Sequence, residues 1–211
     1  MSTSTSRAAP RMTTTLLFVR HGSTEWTDPP SRYQGRTDVP LSERGRAEAQ
    51  QLAERLRAIK FDAIYASPLR RTRETALALA AGRRPVRYET DARIIELSYG
   101  GWEGKRHAQV QEEEAEALTA WADGIAPPPG GESRTALMRR VTEFLDDVAG
   151  QGTVVVVTHK EVIRAGAIAL GLLHPADYLV LEVPCASIFS VVGEPGAWAS
   201  FPDIAYQLSG V

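Results

Sequence analysis

Two arginines, two histidines and a glutamate follow short apolar segments of this 211-residue chain. Arg20 and His21 come directly after the apolar run 16–19, and three further polar residues come at or shortly after later apolar runs: Arg70, Glu96 and His159. Because ligands of open α/β sheets bind outside the carboxyl ends of the strands, we expect these side chains to meet at one edge. Guanidinium and imidazole groups beside a carboxyl group suit a dianionic phosphate together with a proton donor.

These residue types predict phosphoryl transfer without a metal ion. A neutral imidazole at His21 is a competent phosphoryl acceptor, and Gly22 lets the backbone approach closely. Phosphoryl transfer needs mostly positioning and charge stabilisation, which Arg20, Arg70 and His159 can supply. Glu96 can protonate the leaving alkoxide and then activate water, provided that its pKa is raised.

Each of these residues also has an ordinary structural interpretation. His21, His159 and Glu96 could be zinc ligands, although neighbouring guanidinium groups would repel a cation. Arg70 lies in a charged stretch, residues 70–73, that is typical of a solvated helix face. Glu96 alone could be a surface carboxylate, and His159 alone could cap a helix.

Composition excludes several classes of protein. The chain has 24 Lys plus Arg against 26 Asp plus Glu, so a net charge of −2 gives little attraction to nucleic acid or an anionic membrane. The single Cys185 cannot form an internal disulfide, and no Cys/His spacing is typical of a zinc site. No apolar run approaches the roughly 18 residues that span a bilayer. We therefore expect a cytoplasmic protein.

The elements that position the candidate residues alternate between strands and helices. The clearest predicted strands are 16–19, 63–66 and 153–157, and weaker ones are 86–88, 93–97, 178–183 and 187–192. The spacing of apolar residues and the flanking caps predict helices over 42–58, from Pro68 to 81, over 105–123, around 137–148 and around 162–170. This order predicts one α/β domain, residues 15–211, with a mostly parallel sheet between helices and a disordered tail at 1–14.

The segment 17–26, with the sequence LFVRHGSTEW, resembles the opening signature of the histidine phosphatase superfamily, in its phosphoglycerate-mutase-like branch. The resemblance continues, in the family's order, through segments 34–42, 65–72, 96–104, 129–133 and 158–164. It implies a three-layer α/β/α sandwich and a phosphohistidine on His21. It also implies that Arg20, Arg70 and His159 hold the phosphate and that Glu96 is the proton donor.

The resemblance further implies which residues lie near the substrate: Gly22, Thr27, Gln34, Gly35, Tyr99 and Lys160. Two of them depart from the family's pattern. Thr27 stands where the family usually has Asn, although a hydroxyl can still donate a hydrogen bond. Lys160 stands where Gly commonly follows the second histidine, so we expect its side chain to crowd or charge the mouth of the pocket and to affect substrate choice.

Hydrolysis is favoured over mutase activity by the segment between Glu96 and His159. Mutases of this family carry a longer insertion there with paired arginines, whereas here no Arg pair precedes Arg139–Arg140. The sequence therefore predicts a metal-independent phosphomonoesterase that needs no cofactor and acts on a small phosphorylated metabolite, as similar short members do on α-ribazole phosphate and sugar phosphates. The alternatives are a 2,3-bisphosphoglycerate-dependent phosphoglycerate mutase and a non-catalytic phosphate-binding docking module. We expect no nucleic-acid or membrane partner, and homo-oligomer formation stays open.

Overall fold

A computed structural model describes residues 13–194 and 197–200. In that part of the chain six strands form one sheet: β1 (Thr14–Arg20), β2 (Ala63–Ala66), β3 (Arg87–Thr90), β4 (Thr153–Thr158), β5 (Ile188–Glu194) and β6 (Ala197–Ser200). The predicted tail at 1–14 lies almost entirely outside the described residues, and its last residue, Thr14, begins β1.

The sheet has the order β3-β2-β4-β1-β5-β6 and is mostly parallel, as predicted. β1 to β4 pair in parallel, with Arg20 opposite Thr158, and β5 and β6 add an antiparallel edge. The central strands are short runs of apolar residues that are buried on both faces, as is usual for parallel sheets covered by helices.

The helices of the described chain are α1 (Glu43–Arg55), α2 (Arg70–Ala80), α3 (His107–Glu113), α4 (Ala115–Ala122), α5 (Arg134–Val148) and α6 (Lys160–Ala169). Two of them begin with a serine cap. The Ser42 hydroxyl accepts a hydrogen bond from Gly45 N at 3.1 Å, and the Ser133 hydroxyl accepts one from Ala136 N at 3.1 Å. Each cap satisfies an amide that the helix itself leaves unpaired. No helix among these residues is both long and apolar enough to cross a bilayer.

Alternate residues of the central strands pack against two separate helical layers. On one face, Leu17 and Val155 belong to the same core cluster as Leu52 of α1 and Leu79 of α2. On the other face, a second cluster joins Phe18 and Val156 to Phe144 of α5 and Val162 of α6. The period of two along each strand thus gives both faces an apolar surface, which confirms the three-layer α/β/α sandwich.

Two predicted strands are wrong, because arginine side chains donate hydrogen bonds to their backbone carbonyl groups. In the segment 93–97, Arg140 donates to Arg93 O at 2.6 Å and to Glu96 O at 3.2 Å, and the chain forms a short 3₁₀ turn at Ala92–Ile94. In the segment 178–183, Arg164 donates to Leu179 O at 3.1 Å and to Leu181 O at 3.0 Å. Neither segment belongs to a strand of the described sheet.

Two predicted helices also differ in detail. The segment predicted as one helix over 105–123 is two helices, α3 and α4, which meet at Glu114. Glu114 has non-helical backbone angles of φ −137° and ψ 39°, and its carboxylate accepts hydrogen bonds from Trp102 Nε1 and Lys105 Nζ. Pro68 lies before α2, which begins at Arg70, rather than in its first turn.

Candidate active site

The two histidines lie side by side because their strands are neighbours. His21 follows β1 and His159 follows β4, and the backbone N–H of His21 donates to Thr158 O at 3.1 Å. The ring centroids are 5.2 Å apart, and the residues are 2% and 0% exposed. The parallel pairing therefore places both imidazoles at one edge of the sheet, as the sequence predicts.

The hydrogen bond of His21 determines which ring nitrogen can react. Nδ1 lies 2.7 Å from Gly22 O, and a carbonyl can only accept, so Nδ1 carries the proton and Nε2 has the free lone pair. Burial and the charges of Arg71 and Arg20 hold the pKa of His21 well below its usual range. His21 is therefore a neutral imidazole at neutral pH, as a nucleophile must be.

Gly22 fits the close approach that places His21. A Cβ atom at this position would lie 2.4 Å from Gly45 O at the start of α1, closer than any unshifted contact allows. The Gly22 amide also donates to Thr75 Oγ1 at 3.2 Å. Gly22 thus has a packing role behind His21 and does not line the cavity itself.

His159 is fully buried, with Nε2 lying 2.8 Å from Ser67 Oγ. Its Nδ1 has no hydrogen-bond partner among the described residues. Burial and the nearby Arg71 lower the pKa of His159 well below its usual range, with smaller contributions from His21 and Arg20. If the Ser67 hydroxyl donates to Nε2, then Nδ1–H is a buried donor without a partner beside His21.

Two guanidinium groups, the half-buried Arg20 and the buried Arg71, line the cavity beside His21. Arg71 is 0% exposed and donates to Thr37 O at 2.8 Å and Gly35 O at 2.7 Å. Burial lowers its pKa to about 10, so it stays charged at neutral pH. Arg20 donates to Val183 O. In both side chains Nε has no partner in the described part of the protein, which leaves a donor for an anion.

The structure does not place Arg70 in the cavity, and this corrects the prediction from sequence. Its Nε binds Glu74 Oε1 at 2.7 Å, and the side chain is 63% exposed. Successive helical residues are about 100° apart, so Arg70 and Arg71 point in different directions, and Arg71 is the one on the buried face. That face of α2 carries Arg71, Thr75 and Leu79 at helical spacing, which is the pattern that could have identified the correct arginine.

Glu96 lines the same cavity and is 7% exposed. Its Oε1 accepts a hydrogen bond from Leu97 N at 2.9 Å. Burial, and secondarily the charge of Glu161, raise the pKa of Glu96 to about 7, against the opposing effects of Leu97 N–H, Arg71 and Lys160. A carboxyl group with this pKa can donate a proton at neutral pH and accept one afterwards.

The cavity has a volume of about 350 Å³, which is at the small end for a metabolite site. It is lined by Thr27, Gln34, Gly35, Tyr99 and Lys160 of the predicted substrate neighbours. The hydroxyl of Thr27 donates to Thr24 O at 2.9 Å and accepts from Thr24 N at 2.8 Å, so its proton is used within its own loop. Gln34 Oε1 is buried without a partner among the described residues.

Several residues of the site were not identified from sequence. Arg32, Tyr33 and His107 line the cavity, and Glu161 lies fully buried behind it. Glu161 Oε1 accepts from Tyr99 Oη at 3.1 Å and from Arg164 Nη1 at 3.2 Å. A carboxylate two residues after His159, in the first turn of a helix, gave no sign that it would be buried.

The zinc alternative lacks a set of ligands in the structure. Within residues 13–194 and 197–200, no three side chains of His, Cys, Asp or Glu come together as a metal ion would require. The polar groups that surround His21 are instead guanidinium donors, which suit an anion.

Residues 16–200 match the sequence profile of the histidine phosphatase superfamily (branch 1). The chain belongs to the histidine phosphatase superfamily. It is 40% identical to phosphoserine phosphatase 1 of Hydrogenobacter thermophilus over 74% of this chain and 75% of the relative. It is 32% identical to the adenosylcobalamin/alpha-ribazole phosphatase of Salmonella typhimurium over 88% of each chain.

The fold agrees with this membership. A mycobacterial glucosyl-3-phosphoglycerate phosphatase, solved in complex with VO₃, superposes with a TM-score of 0.79 and 32% sequence identity. The superposition covers 89% of this chain and 96% of the mycobacterial histidine phosphatase. The resemblance stated from the sequence motifs is therefore confirmed, and the chain is a phosphatase of this superfamily.

Proposed function

We propose that this protein hydrolyses a small phosphorylated metabolite through a phosphohistidine on His21. The observation that carries the proposal is a neutral His21, whose Nε2 is unprotonated, in one cavity with the guanidinium groups of Arg20 and Arg71 and a carboxyl group of pKa about 7. The relatives are named as phosphatases of small phosphorylated compounds, which supports a substrate of this kind.

In the first step, Nε2 of His21 attacks phosphorus, and the bond from phosphorus to the leaving oxygen breaks. Glu96 gives its proton to the departing alkoxide, so the alcohol leaves neutral. The hydrogen bond from Nδ1 to Gly22 O holds the ring in the reactive tautomer and stabilises the positive charge that develops on the imidazole.

The transferring phosphoryl group is stabilised by the charges around it. Arg20 and Arg71 each have an Nε–H without a partner in the described structure, and together they match the two negative charges of a phosphomonoester. His159 packs against His21 without lining the cavity itself, and in the tautomer in which Ser67 donates to Nε2 its Nδ1–H would supply a further donor. The first amides of α6, which follow His159, add the positive end of a helix dipole.

In the second step, a water molecule attacks the phosphorus of phosphohistidine. The Glu96 carboxylate takes a proton from this water, the N–P bond breaks, and inorganic phosphate leaves. His21 returns to its starting tautomer and Glu96 to its protonated form, so protons balance over the cycle. No step uses a cofactor or a metal ion.

The test is phosphate release from a panel of phosphomonoesters in excess EDTA, with His21→Ala beside the wild type. The matched control is His174→Ala, because His174 is exposed and lies outside the cavity. We expect turnover that survives chelation, is lost in His21→Ala and is unchanged in His174→Ala. Full activity of His21→Ala would refute the assigned nucleophile, and activity that EDTA abolishes would refute the metal-free mechanism.

Two other outcomes would replace the proposal. Interconversion of 3- and 2-phosphoglycerate that depends on added 2,3-bisphosphoglycerate would indicate a mutase. Binding of phosphorylated ligands without any turnover would indicate a docking module, although such a module would have no use for a buried Glu96 with a raised pKa.

We also propose that the protein works in the cytoplasm as one catalytic domain, residues 15–211, without a nucleic-acid or membrane partner. The net charge of −2 and the single cysteine support this proposal. Oligomeric state is left to measurement by light scattering.

A further inference from the structure

The cavity carries more positive charge than a phosphate group needs. Besides Arg20 and Arg71, it is lined by Arg32, Arg44 and Lys160. Arg44 is ion-paired with Glu48 at 2.9 Å and with Asp28 at 3.5 Å, so its charge is compensated. In the described structure Arg32 has no ion pair within 4.0 Å, which leaves Arg32 and Lys160 to be explained.

The ammonium group of Lys160 is only loosely held by the protein. Its nearest carboxylate oxygen, Glu161 Oε1, is 3.8 Å away and already accepts the shorter hydrogen bonds from Tyr99 and Arg164. Within residues 13–194 and 197–200, Nζ makes no hydrogen bond, and the side chain is 33% exposed at the cavity. Three N–H donors are therefore available to a ligand.

Arg32, on a loop, and His107, at the start of α3, form one wall of the cavity. Arg32 Nη1 donates to Gly104 O at 2.7 Å, and the backbone N–H of His107 donates to Ser31 O at 3.3 Å. These contacts hold the wall in place and leave part of the Arg32 guanidinium group for the cavity. Lys160 lines the same cavity as Arg32, His107 and Glu96, and its charge lowers the pKa of both His107 and Glu96.

The carboxyl groups of the cavity do not balance these cations. Two acidic residues line it: Asp28, which is paired with Arg44, and Glu96, which must be protonated to act. A substrate with only one phosphate would neutralise Arg20 and Arg71, and would leave Arg32 without an ion pair and Lys160 with only the 3.8 Å contact to Glu161, which Arg164 shares. A second anionic group on the substrate would supply the missing counter-charge.

We propose that Lys160, assisted by Arg32, binds a carboxylate of the substrate, and that the substrates are phosphomonoesters of small hydroxy acids. This inference rests on the proposed phosphatase function. A carboxylate, with one negative charge, is favoured over a second phosphate, with two, because Glu161 Oε1 at 3.8 Å already compensates part of the charge of Lys160. It would also explain why lysine replaces glycine after the second histidine.

The test uses pairs of esters that differ in the carboxylate: 3-phosphoglycerate against glycerol 3-phosphate, and phosphoserine against phosphoethanolamine. A bisphosphate, fructose 1,6-bisphosphate, is compared with fructose 6-phosphate. We expect kcat/KM to favour the carboxylate member of the first two pairs by about tenfold or more, the usual effect of a charge-assisted hydrogen bond.

The variants are Lys160→Ala, Lys160→Arg and the control Lys60→Ala, which removes the same charge from an exposed position outside the cavity. Lys160→Ala should reduce the carboxylate preference to about two-fold or less, Lys160→Arg should restore part of it, and Lys60→Ala should keep it. A preference that survives in Lys160→Ala, or that is absent from the wild type, overturns the inference. A preference for the bisphosphate alone assigns the site to a second phosphate instead and also overturns it.

Affinity measurements separate this inference from the proposed function. The same ester pairs are titrated calorimetrically into His21→Ala and His21→Ala/Lys160→Ala proteins. If no ester is hydrolysed by the wild type but Lys160 still determines carboxylate affinity, the phosphatase function fails and the binding site stands. If esters are hydrolysed and neither kcat/KM nor affinity depends on the carboxylate, the binding site alone fails.

Discussion

Replacing Glu161 by glutamine should move the pH dependence of the reaction without touching the substrate. Glu161 is 0% exposed, and its charge is the second cause, after burial, of the raised pKa of Glu96. The side chains of glutamine and glutamate have nearly the same shape, and the glutamine oxygen can still accept from Tyr99 and Arg164. The substitution therefore removes a negative charge and keeps the packing.

The sign follows from the role of Glu96. A nearby negative charge disfavours the ionised carboxylate, so removing Glu161 lowers the pKa of Glu96. Glu96 then loses its proton at lower pH, and the alkaline limb of the pH profile, which depends on a protonated donor, moves toward acid. The pKa of Glu96 is raised from 4.5 to about 7, and burial is the larger cause. We expect a displacement of about one pH unit, which corresponds to about 1.4 kcal/mol.

The assay is kcat against pH for an alkyl phosphomonoester that the wild type hydrolyses, because an alkoxide leaves only when protonated. Ionisation of the substrate is the same for both proteins and cancels in the comparison. Glu48→Gln is the control: its carboxylate is 18% exposed and accepts from Ser23, but it is not among the groups that act on Glu96. An alkaline limb that stays in place, or moves to higher pH, in a Glu161→Gln protein with wild-type thermal stability would refute the reasoning.

Three further predictions concern single positions. Arg71→Lys should lower kcat/KM by about 100-fold, because the guanidinium group stabilises the transferring phosphoryl group. The control Arg70→Lys should keep a kcat/KM near that of the wild type, and equal losses in the two variants would contradict the placement of Arg71. Glu96→Gln should slow hydrolysis of alkyl esters but accumulate phosphoenzyme from 4-nitrophenyl phosphate, whose leaving group departs without an acid, and rapid-quench labelling detects it. Gly22→Ala should destabilise the fold by about 1–3 kcal/mol, because its Cβ would meet Gly45 O, and an unchanged melting temperature would show that the loop yields freely.

The sheet could be predicted from sequence because its central strands are separate apolar runs between helices with apolar residues at helical spacing. The two segments wrongly predicted as strands share one physical cause. The segments 93–97 and 178–183 have the residue types of strands, but Arg140 and Arg164, each on a helix outside the segment, donate hydrogen bonds to their carbonyl groups. A local pattern holds no information about a distant donor, so these segments could not be assigned from it.

The candidate site shows the same division between local and distant information. His21, Glu96 and His159 could be located because each lies at the end of an apolar run or shortly after it. The prediction of Arg70 instead of Arg71 was wrong about which side of α2 is buried. The spacing of the apolar residues of α2 indicates the side that carries Arg71. Glu161 could not be identified, because its burial depends on Tyr99 and Arg164, which fold against it from other parts of the chain and from its own helix.

Two adjacent residues of opposite charge at the start of α6, Lys160 and Glu161, act on the pKa of Glu96 in opposite directions. Lys160 lies at the cavity and lowers the pKa of Glu96, while the buried Glu161 raises it. When an anionic group of the substrate neutralises Lys160, Lys160 no longer lowers the pKa of Glu96. The effect of Glu161, which favours a protonated Glu96, then has less opposition. Binding of the proposed carboxylate would therefore raise the pKa of the proton donor in the complex. The alkaline limb of kcat should then lie at higher pH for 3-phosphoglycerate than for glycerol 3-phosphate, and this difference should be lost in Lys160→Ala.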